Sequence, residues 1–199
     1  MYISRTLEKD IAKYLNAREV LAIIGPRQSG KTTLMQHVFE QLEGGVFLDF
    51  GDRETLELFD QDLKGFIELY VKKYRYLFID EFQYAKEGGK NLKYIYDNFD
   101  TKIIISGSSA SELSIHSIKH LVGRVFTFSL YPFSFEEYLT HKAPELHEAY
   151  KREKISKPIL DRIFPYFSDF CIYGGYPRVV TSEDREEKVM FESQKVSSG

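Results

Sequence analysis

One segment of this 199-residue chain combines the residue types that bind phosphate. It reads Gly25-Pro26-Arg27-Gln28-Ser29-Gly30-Lys31-Thr32, followed by Thr33. Gly30 lets the backbone turn so that successive N–H groups point at phosphate oxygens, and the helix expected after the loop adds its positive end. Lys31 is expected to reach the β- and γ-phosphates, and the Thr32 hydroxyl is a suitable Mg²⁺ ligand. The pattern therefore predicts a site for ATP or ADP with Mg²⁺.

Two carboxylates follow an apolar run at residues 76–79. Asp80 is predicted to complete the Mg²⁺ site, and Glu81 to orient and deprotonate an attacking water as general base. Two solvated acids at a strand end would be the simpler interpretation if the phosphate loop were absent. With the loop present, the pair favours hydrolysis of the bound triphosphate.

A second apolar run, at residues 103–105, is followed by serines that include Ser108 and Ser109. Ligands of open α/β sheets bind at the carboxyl ends of the strands, so either hydroxyl is predicted to sense the γ-phosphate or to position the water. A serine-rich turn or a helix N-cap is the alternative interpretation.

The elements that would position these residues alternate along the chain. Strands are predicted at 20–24, 46–50, 76–79, 102–106 and 125–130, and helices at 3–15, 31–42, 53–73 and 90–99. Uniformly apolar strands that alternate with helices indicate a mainly parallel sheet in an α/β fold. From residue 134 to 196 the pattern predicts a helical appendage with breaks near Pro144, Pro158, Pro165 and Gly174-Gly175.

The composition narrows the function classes. A net charge of −3 gives no global basic field for nucleic acid, and no apolar run is long enough for a membrane span or a leader. We therefore expect a cytoplasmic protein. The single cysteine, Cys171, excludes an internal disulfide and is expected to be buried.

Five segments in order resemble the archaeal and bacterial AAA-type ATPases of the AAA+/STAND group, over about residues 3–182. They are GPRQSGKTTL, YLFIDEFQ, IIISGSSA, LVGRVFTFSLYPFSFEEYL and GGYPRVV. The resemblance implies a P-loop NTPase fold with strand order 5-1-4-3-2, a core over residues 1–131 and a helical lid over 132–199. Chains of this group typically continue further, so it also implies a fragment or the absence of an effector module.

The resemblance also assigns roles to single residues. Ser108 or Ser109 falls at the sensor-1 position. Arg124 lies where these proteins carry an arginine that stabilises charge on the γ-phosphate, in cis or from a neighbouring subunit; a surface arginine is the alternative. Pro177 resembles the lid proline that packs against adenine, unless the segment is a simple turn, and Arg178 is a lid-sensor candidate.

Three functions remain open at this stage. The first is an ATPase that drives a conformational switch or motor step, and the second is a nucleotide-gated binding module with little turnover. The third is a fragment of a helicase-like, DNA-dependent ATPase, suggested by Asp-Glu-Phe-Gln at 80–83, although a helicase needs two such core domains. The partners expected are ATP and a protein partner or C-terminal effector module, with a homo-oligomer also compatible; nucleic acid has no support from the charge.

Overall fold

A computed structural model describes residues 2–108, 121–152 and 154–196, with residues 192–196 described by their backbone alone. The chain divides into two compact units. One unit comprises Tyr2 and Thr6–Leu130, and the other comprises Ile3–Arg5 together with the chain from Tyr131 onwards.

The first unit contains a five-stranded parallel sheet. Its strands are β1 (Val20–Gly25), β2 (Gly45–Asp49), β3 (Tyr76–Asp80), β4 (Lys102–Ser108) and β5 (Val125–Ser129). Their order across the sheet is β2-β3-β4-β1-β5. This confirms the α/β fold and the expected order, which reads the same from the opposite edge. The strand between β1 and β3 in the sheet is β4, whereas β2, which separates them in sequence, forms an edge.

The central strands β1, β3 and β4 carry long apolar runs because both faces of the sheet are covered there. On β3, Leu77 and Ile79 face one hydrophobic cluster and Phe78 faces the other. On β4, Ile105 faces the first of these clusters and Ile104 faces the second. Side chains of a strand alternate between faces, so an uninterrupted apolar run serves two layers of helices.

Helices of the first unit cover the two faces. They are α1 (Leu7–Tyr14), α2 (Lys31–Glu40), α3 (Arg53–Gln61), α4 (Leu63–Phe66), a π-helical turn (Ile67–Val71) and α5 (Gly88–Asn98). The single helix expected over 53–73 is therefore wrong. Asp62 ends α3 with a non-helical backbone, and its carboxylate caps α4 by accepting from the Gly65 N–H at 3.0 Å.

The first helix also begins later than expected, at Leu7 rather than residue 3. Ile3 is buried in a cluster with Phe133, Tyr138 and Val180 of the second unit, so it does not extend the apolar stripe of α1. Residues 3–5 accordingly belong with the second unit.

The second unit is helical in its described part. It contains α6 (Phe135–Lys142), α7 (Pro144–Tyr150), α8 (Lys157–Tyr173), α9 (Pro177–Thr181) and α10 (Arg185–Val196). A capping box begins α6: the Ser134 hydroxyl accepts from the Glu137 N–H, and the Glu137 carboxylate accepts from the Ser134 N–H at 2.9 Å.

Two expectations for α8 are wrong. Pro165 lies inside the helix without ending it. Both Pro165 and Asp161, whose carbonyl loses its helical partner, are exposed, so water can satisfy that carbonyl. Cys171 is exposed rather than buried.

Among the helices of the described ranges, none combines the length and the apolar character that a membrane span requires.

Candidate functional site

The carboxyl ends of three parallel strands bring the predicted residues together. Gly25, at the end of β1, pairs with Ser108, at the end of β4. The pairing of Ile79 with Ile105 places Asp80 of β3 beside the same end of β4. The phosphate loop, the two carboxylates and Ser108 therefore lie together at the edge of the sheet that the carboxyl ends of its strands form.

The loop leaves β1 at a position that only glycine fits. The Leu130 N–H donates to the Ile24 carbonyl at 2.7 Å, which holds the chain after β5 against the end of β1. A Cβ atom on Gly25 would lie 2.0 Å from the Leu130 carbonyl oxygen. The first glycine of the motif thus permits close approach of two backbones.

The loop leads directly into helix α2, whose N-terminus has no side-chain cap. Gly30 has φ 94° and ψ 23°, a left-handed backbone that favours glycine, and it is the N-cap of α2. The first N–H groups of a helix have no acceptor within it, and no side chain caps those of α2 at this position. Thr32 and Thr33 are exposed in this first turn. The positive end of α2 is consequently open to an anion.

Lys31 points back into the loop. Its ammonium donates to the carbonyls of Gly25 at 3.1 Å and Pro26 at 2.9 Å, and the residue is 6% exposed. Burial lowers the pKa of Lys31, while the nearby charges of Glu81 and Asp80 act in the opposite direction. Charged phosphate oxygens are stronger hydrogen-bond acceptors than these carbonyls. The Lys31 ammonium is therefore placed to leave the two carbonyls and to donate to a bound phosphate.

The rest of the loop comprises Pro26, Arg27, Gln28 and Ser29. Ser29 is fully buried, and its N–H donates to the Pro26 carbonyl at 3.3 Å. Arg27 contributes a second positive charge near Lys31, which acts to lower the pKa of that lysine. The structure therefore assembles all predicted loop residues into one turn around the start of α2.

Asp80 is buried, with 3% exposure, and its orientation is set from β4. The Ser106 hydroxyl and the Glu81 N–H both donate to its Oδ1 atom, the latter at 3.1 Å. Its Oδ2 atom accepts no hydrogen bond from the described residues and is available as an oxygen ligand. No sequence pattern predicts this role of Ser106, because its contact with Asp80 depends on β3 and β4 being neighbours.

Glu81 has a strained backbone at φ 53°. Gln28, at φ 63°, is the other non-glycine residue with positive φ in the described chain, and both lie in this site. Such conformations cost about 1–3 kcal/mol each and cluster at functional sites. At Glu81 the N–H group is held by Asp80 and, at 3.3 Å, by the Ser106 hydroxyl oxygen.

Gln83 is a further polar residue in the site. Its amide N–H donates to the Oε2 atom of Glu81, and its amide oxygen accepts from the Ser108 N–H at 3.3 Å. In the sequence, Gln83 belongs to the segment YLFIDEFQ and to the helicase-like Asp-Glu-Phe-Gln motif, and neither pattern predicts a role for it. Ser109 lies outside the described residues.

Arg124 is not brought to the loop within this chain. It precedes β5, at the amino edge of the sheet, where its carbonyl accepts from the Val20 N–H at 2.9 Å. Its guanidinium pairs with Asp97 at 3.1 Å. The five residues of β5 span about 16 Å between Arg124 and the strand ends that carry the loop, and a role of Arg124 at the γ-phosphate stays a prediction.

Pro177 belongs to the second unit, where it is the first residue of α9 and half-buried. The turn before it is held by the Phe133 N–H, which donates to the Gly175 carbonyl at 2.6 Å. The neighbouring Arg178 stacks its guanidinium 3.7 Å from the centre of the Phe191 ring. A contact between Pro177 and adenine stays a prediction.

The donors fit Mg²⁺ bound together with a nucleotide. The described residues contain no group of three or more His, Cys, Asp and Glu side chains that could hold a metal by themselves. Mg²⁺ at nucleotide sites needs only one or two protein oxygens, since phosphates and water supply the rest. The Thr32 hydroxyl and the free Oδ2 atom of Asp80 are oxygens of that kind.

Comparison with solved structures supports the fold. The Walker-type ATPase PABY2304 of Pyrococcus abyssi superposes with a TM-score of 0.61 at 15% sequence identity, covering 98% of this chain and 72% of that chain. At this level of identity the likeness concerns the fold.

Two curated relatives are uncharacterized proteins. MJ1544 of Methanocaldococcus jannaschii is 23% identical over 189 residues, covering 93% of this chain and 42% of the relative. A protein of Haemophilus influenzae is 28% identical over 176 residues, covering 83% and 41%. The chain thus spans less than half the length of these relatives.

A family model described as AAA domain (AAA_14) matches residues 17–139. The match contains the phosphate loop, both carboxylates and all five strands of the sheet. The chain therefore belongs to this AAA domain family of P-loop ATPases.

Proposed function

We propose that the chain binds Mg-ATP at residues 25–33 and hydrolyses it with a water molecule that Glu81 activates, and that loss of the γ-phosphate drives a conformational switch or motor step. The observation that carries this proposal is the arrangement at one sheet edge: the uncapped start of α2, the Lys31 ammonium and the carboxylates of Asp80 and Glu81. Family membership agrees with it.

Each residue has a defined task. Backbone N–H groups at the start of α2 bind the phosphates, and Lys31 moves from the loop carbonyls to β- and γ-phosphate oxygens. Thr32 and Asp80 would hold Mg²⁺, which would supply positive charge at the γ-phosphate. Glu81 takes the proton of the attacking water, and Ser108, at the end of β4 beside Gly25, helps to place that water.

The helical second unit is proposed to act as the lid, with Pro177 against the adenine ring. Arg124 lies at the amino edge of the sheet, so a contact with the γ-phosphate would have to come from a neighbouring copy in a homo-oligomer. The relatives are more than twice as long as the segment they share with this chain. A further module or a protein partner is accordingly proposed to receive the output of the switch.

The test is steady-state phosphate release from Mg-ATP by the wild type and by Glu81→Gln. We expect the wild type to turn over and Glu81→Gln to lose at least about 100-fold in rate, because it lacks the general base. Nucleotide affinity, measured by calorimetry, should change little, since the phosphate loop is intact.

Glu43→Gln is the matched control, because Glu43 is exposed before β2 at the opposite edge of the sheet and should keep the wild-type rate. Equal, near-zero rates in the wild type and Glu81→Gln, with nucleotide still bound, would instead support a nucleotide-gated binding module. Turnover stimulated by DNA or RNA and lost steeply with salt would favour the helicase-like alternative.

A further inference from the structure

The side chain of Gln83 connects the ends of two strands. Its amide N–H group donates to the carboxylate of Glu81, directly after β3, and its amide oxygen accepts from the N–H of Ser108 on β4. Ser108 pairs with Gly25, the first residue of the phosphate loop. The candidate general base is therefore linked through one side chain to the strand that lies beside the phosphate loop.

The backbone that carries Gln83 is held in place by the packing of the neighbouring Phe82. Gln83 lies in a 3₁₀ turn, Phe82–Tyr84, whose first residue is fully buried. The Phe82 ring packs with its centre 5.8 Å from that of Phe50 and 6.0 Å from that of Phe59. This packing holds the turn in place, so that the amide of Gln83 is presented at a defined position.

The bridge uses both ends of a carboxamide. Asn and Gln carry an uncharged donor and an acceptor on separate atoms of one planar end group, and Asn is one methylene shorter. The backbone N–H of Glu81 is already hydrogen-bonded to Asp80 and Ser106. These two bonds do not determine the orientation of the Glu81 carboxylate. Among the described residues, Gln83 is the side chain that donates to that carboxylate.

We propose that Gln83 is a positioning residue for hydrolysis: it orients the Glu81 carboxylate toward the attacking water and makes that orientation depend on the position of Ser108. This inference rests on the proposed ATPase function. A γ-phosphate that draws the end of β4 toward itself shifts the acceptor side of the Gln83 amide, and the donor side carries the shift to Glu81. Gln83 itself does not touch the nucleotide.

The experiment measures kcat, KM and ATP affinity for Gln83→Met and Gln83→Glu. Gln83→Met keeps the length of the side chain and removes both hydrogen bonds. We expect kcat to fall about 10–100-fold, with KM and affinity within about 3-fold, because misplacement of a reacting group by about 1 Å costs up to 100-fold in rate. Gln61→Met, at the exposed end of α3, is the control for the substitution itself.

Gln83→Glu distinguishes the effect of the hydrogen bond to Glu81 from that of the hydrogen bond from Ser108. It keeps an acceptor for the Ser108 N–H but replaces the donor to Glu81 by a like charge. A positioning role predicts a loss of kcat at least as large as in Gln83→Met. A merely structural role in tying down Ser108 predicts that Gln83→Glu retains most of the wild-type rate, which would overturn the inference.

A double-mutant cycle completes the test. If Gln83 acts through Glu81, adding Gln83→Met to Glu81→Gln should lower the residual rate by no more than about 2-fold, since residues that act as a unit are non-additive. Full additivity, or a wild-type kcat in Gln83→Met, overturns the positioning role while leaving the ATPase proposal intact. A wild type with no more turnover than Glu81→Gln overturns both.

Discussion

At the scale of single residues, the site balances buried charges of opposite sign. The Lys31 ammonium is buried between loop carbonyls and has the carboxylates of Asp80 and Glu81 nearby. Burial lowers the pKa of Lys31, and a triphosphate would favour the charged form again. We therefore expect nucleotide binding to be coupled to the protonation of this lysine.

The first prediction at this scale concerns Lys31→Ala. Each charge-assisted hydrogen bond contributes about 1.5–3 kcal/mol, so loss of contacts to two phosphates should weaken ATP binding by about 100-fold or more. The fold should persist, as judged by circular dichroism, because the side chain contributes to the loop and not to the hydrophobic clusters. Calorimetry measures the affinity, with Lys64→Ala, an exposed lysine of α4, as control.

The same lysine sets the direction of a pH dependence. The ammonium binds phosphate better than the neutral amine, and the pKa of Lys31 in the free protein is below its usual 10.5. ATP affinity of the wild type should therefore fall as pH rises through this lowered pKa. An affinity for ATP in Lys31→Ala equal to that of the wild type would contradict the assignment of residues 25–33.

At the scale of elements, the two ends of β4 have different roles: one contacts residues of the site and the other stabilises the fold. Its carboxyl end orients Asp80 through Ser106 and contacts Gln83 through Ser108. At its amino end, the buried Lys102 donates to the carbonyls of Tyr14 at 2.8 Å, Ala17 at 2.6 Å and Glu19 at 2.6 Å. The lysine ties the end of α1 and the connection to β1 onto the sheet.

We predict that Lys102→Met destabilises the first unit by about 2–4 kcal/mol, because it removes three hydrogen bonds to backbone carbonyls. Urea unfolding followed by circular dichroism measures the change. Lys93→Met, an exposed lysine of α5, should stay within about 0.5 kcal/mol of the wild type. Equal midpoints for the two variants would show that the three hydrogen bonds contribute little.

The stability difference should also depend on pH. Burial lowers the pKa of Lys102 to about 8, from 10.5 in the unfolded chain. Between these values the unfolded state binds more protons, so the free energy of unfolding rises with pH. The wild type should therefore gain stability relative to Lys102→Met as the pH increases from about 8 toward 10.5.

At the scale of the whole molecule, the chain forms two units with hydrophobic clusters of their own. The N-terminal segment contributes to the second unit through Arg5. Its guanidinium pairs with the buried Glu137 at 3.2 Å, donates to the Tyr131 carbonyl at 2.6 Å and stacks 4.4 Å from the centre of the Phe133 ring. Residues far apart in sequence thus hold the second unit together.

Arg5→Met should destabilise the second unit by about 3–5 kcal/mol, because it leaves the Glu137 carboxylate buried without its main positive partner. Hydrogen exchange by segment should show faster exchange in α6 to α9, with protection retained in β1, β3 and β4. Arg152→Met, an exposed substitution, is the control. Uniform loss of protection throughout the chain would mean that the two units open together.

Much of the fold and of the site could be predicted from the sequence because the signals are local. Residues 25–32 contain the turn, the amides, the lysine and the helix start within one consecutive segment. The alternation of apolar runs with helical segments predicted a parallel sheet, and the resemblance supplied its strand order. The helix boundaries near Asp62 and Pro165 were less predictable, because capping and solvent exposure decided them.

By itself, the sequence determined the loop, the order of strands and helices along the chain and the acids at the end of β3. The tertiary structure alone decided the contacts of Ser106 with Asp80, of Gln83 with Ser108 and of Lys102 with the end of α1. It also decided that Arg124 lies at the edge opposite the loop. The physical reason is that these contacts join residues 25 or more positions apart, and only the packing of β4 between β1 and β3 makes them neighbours.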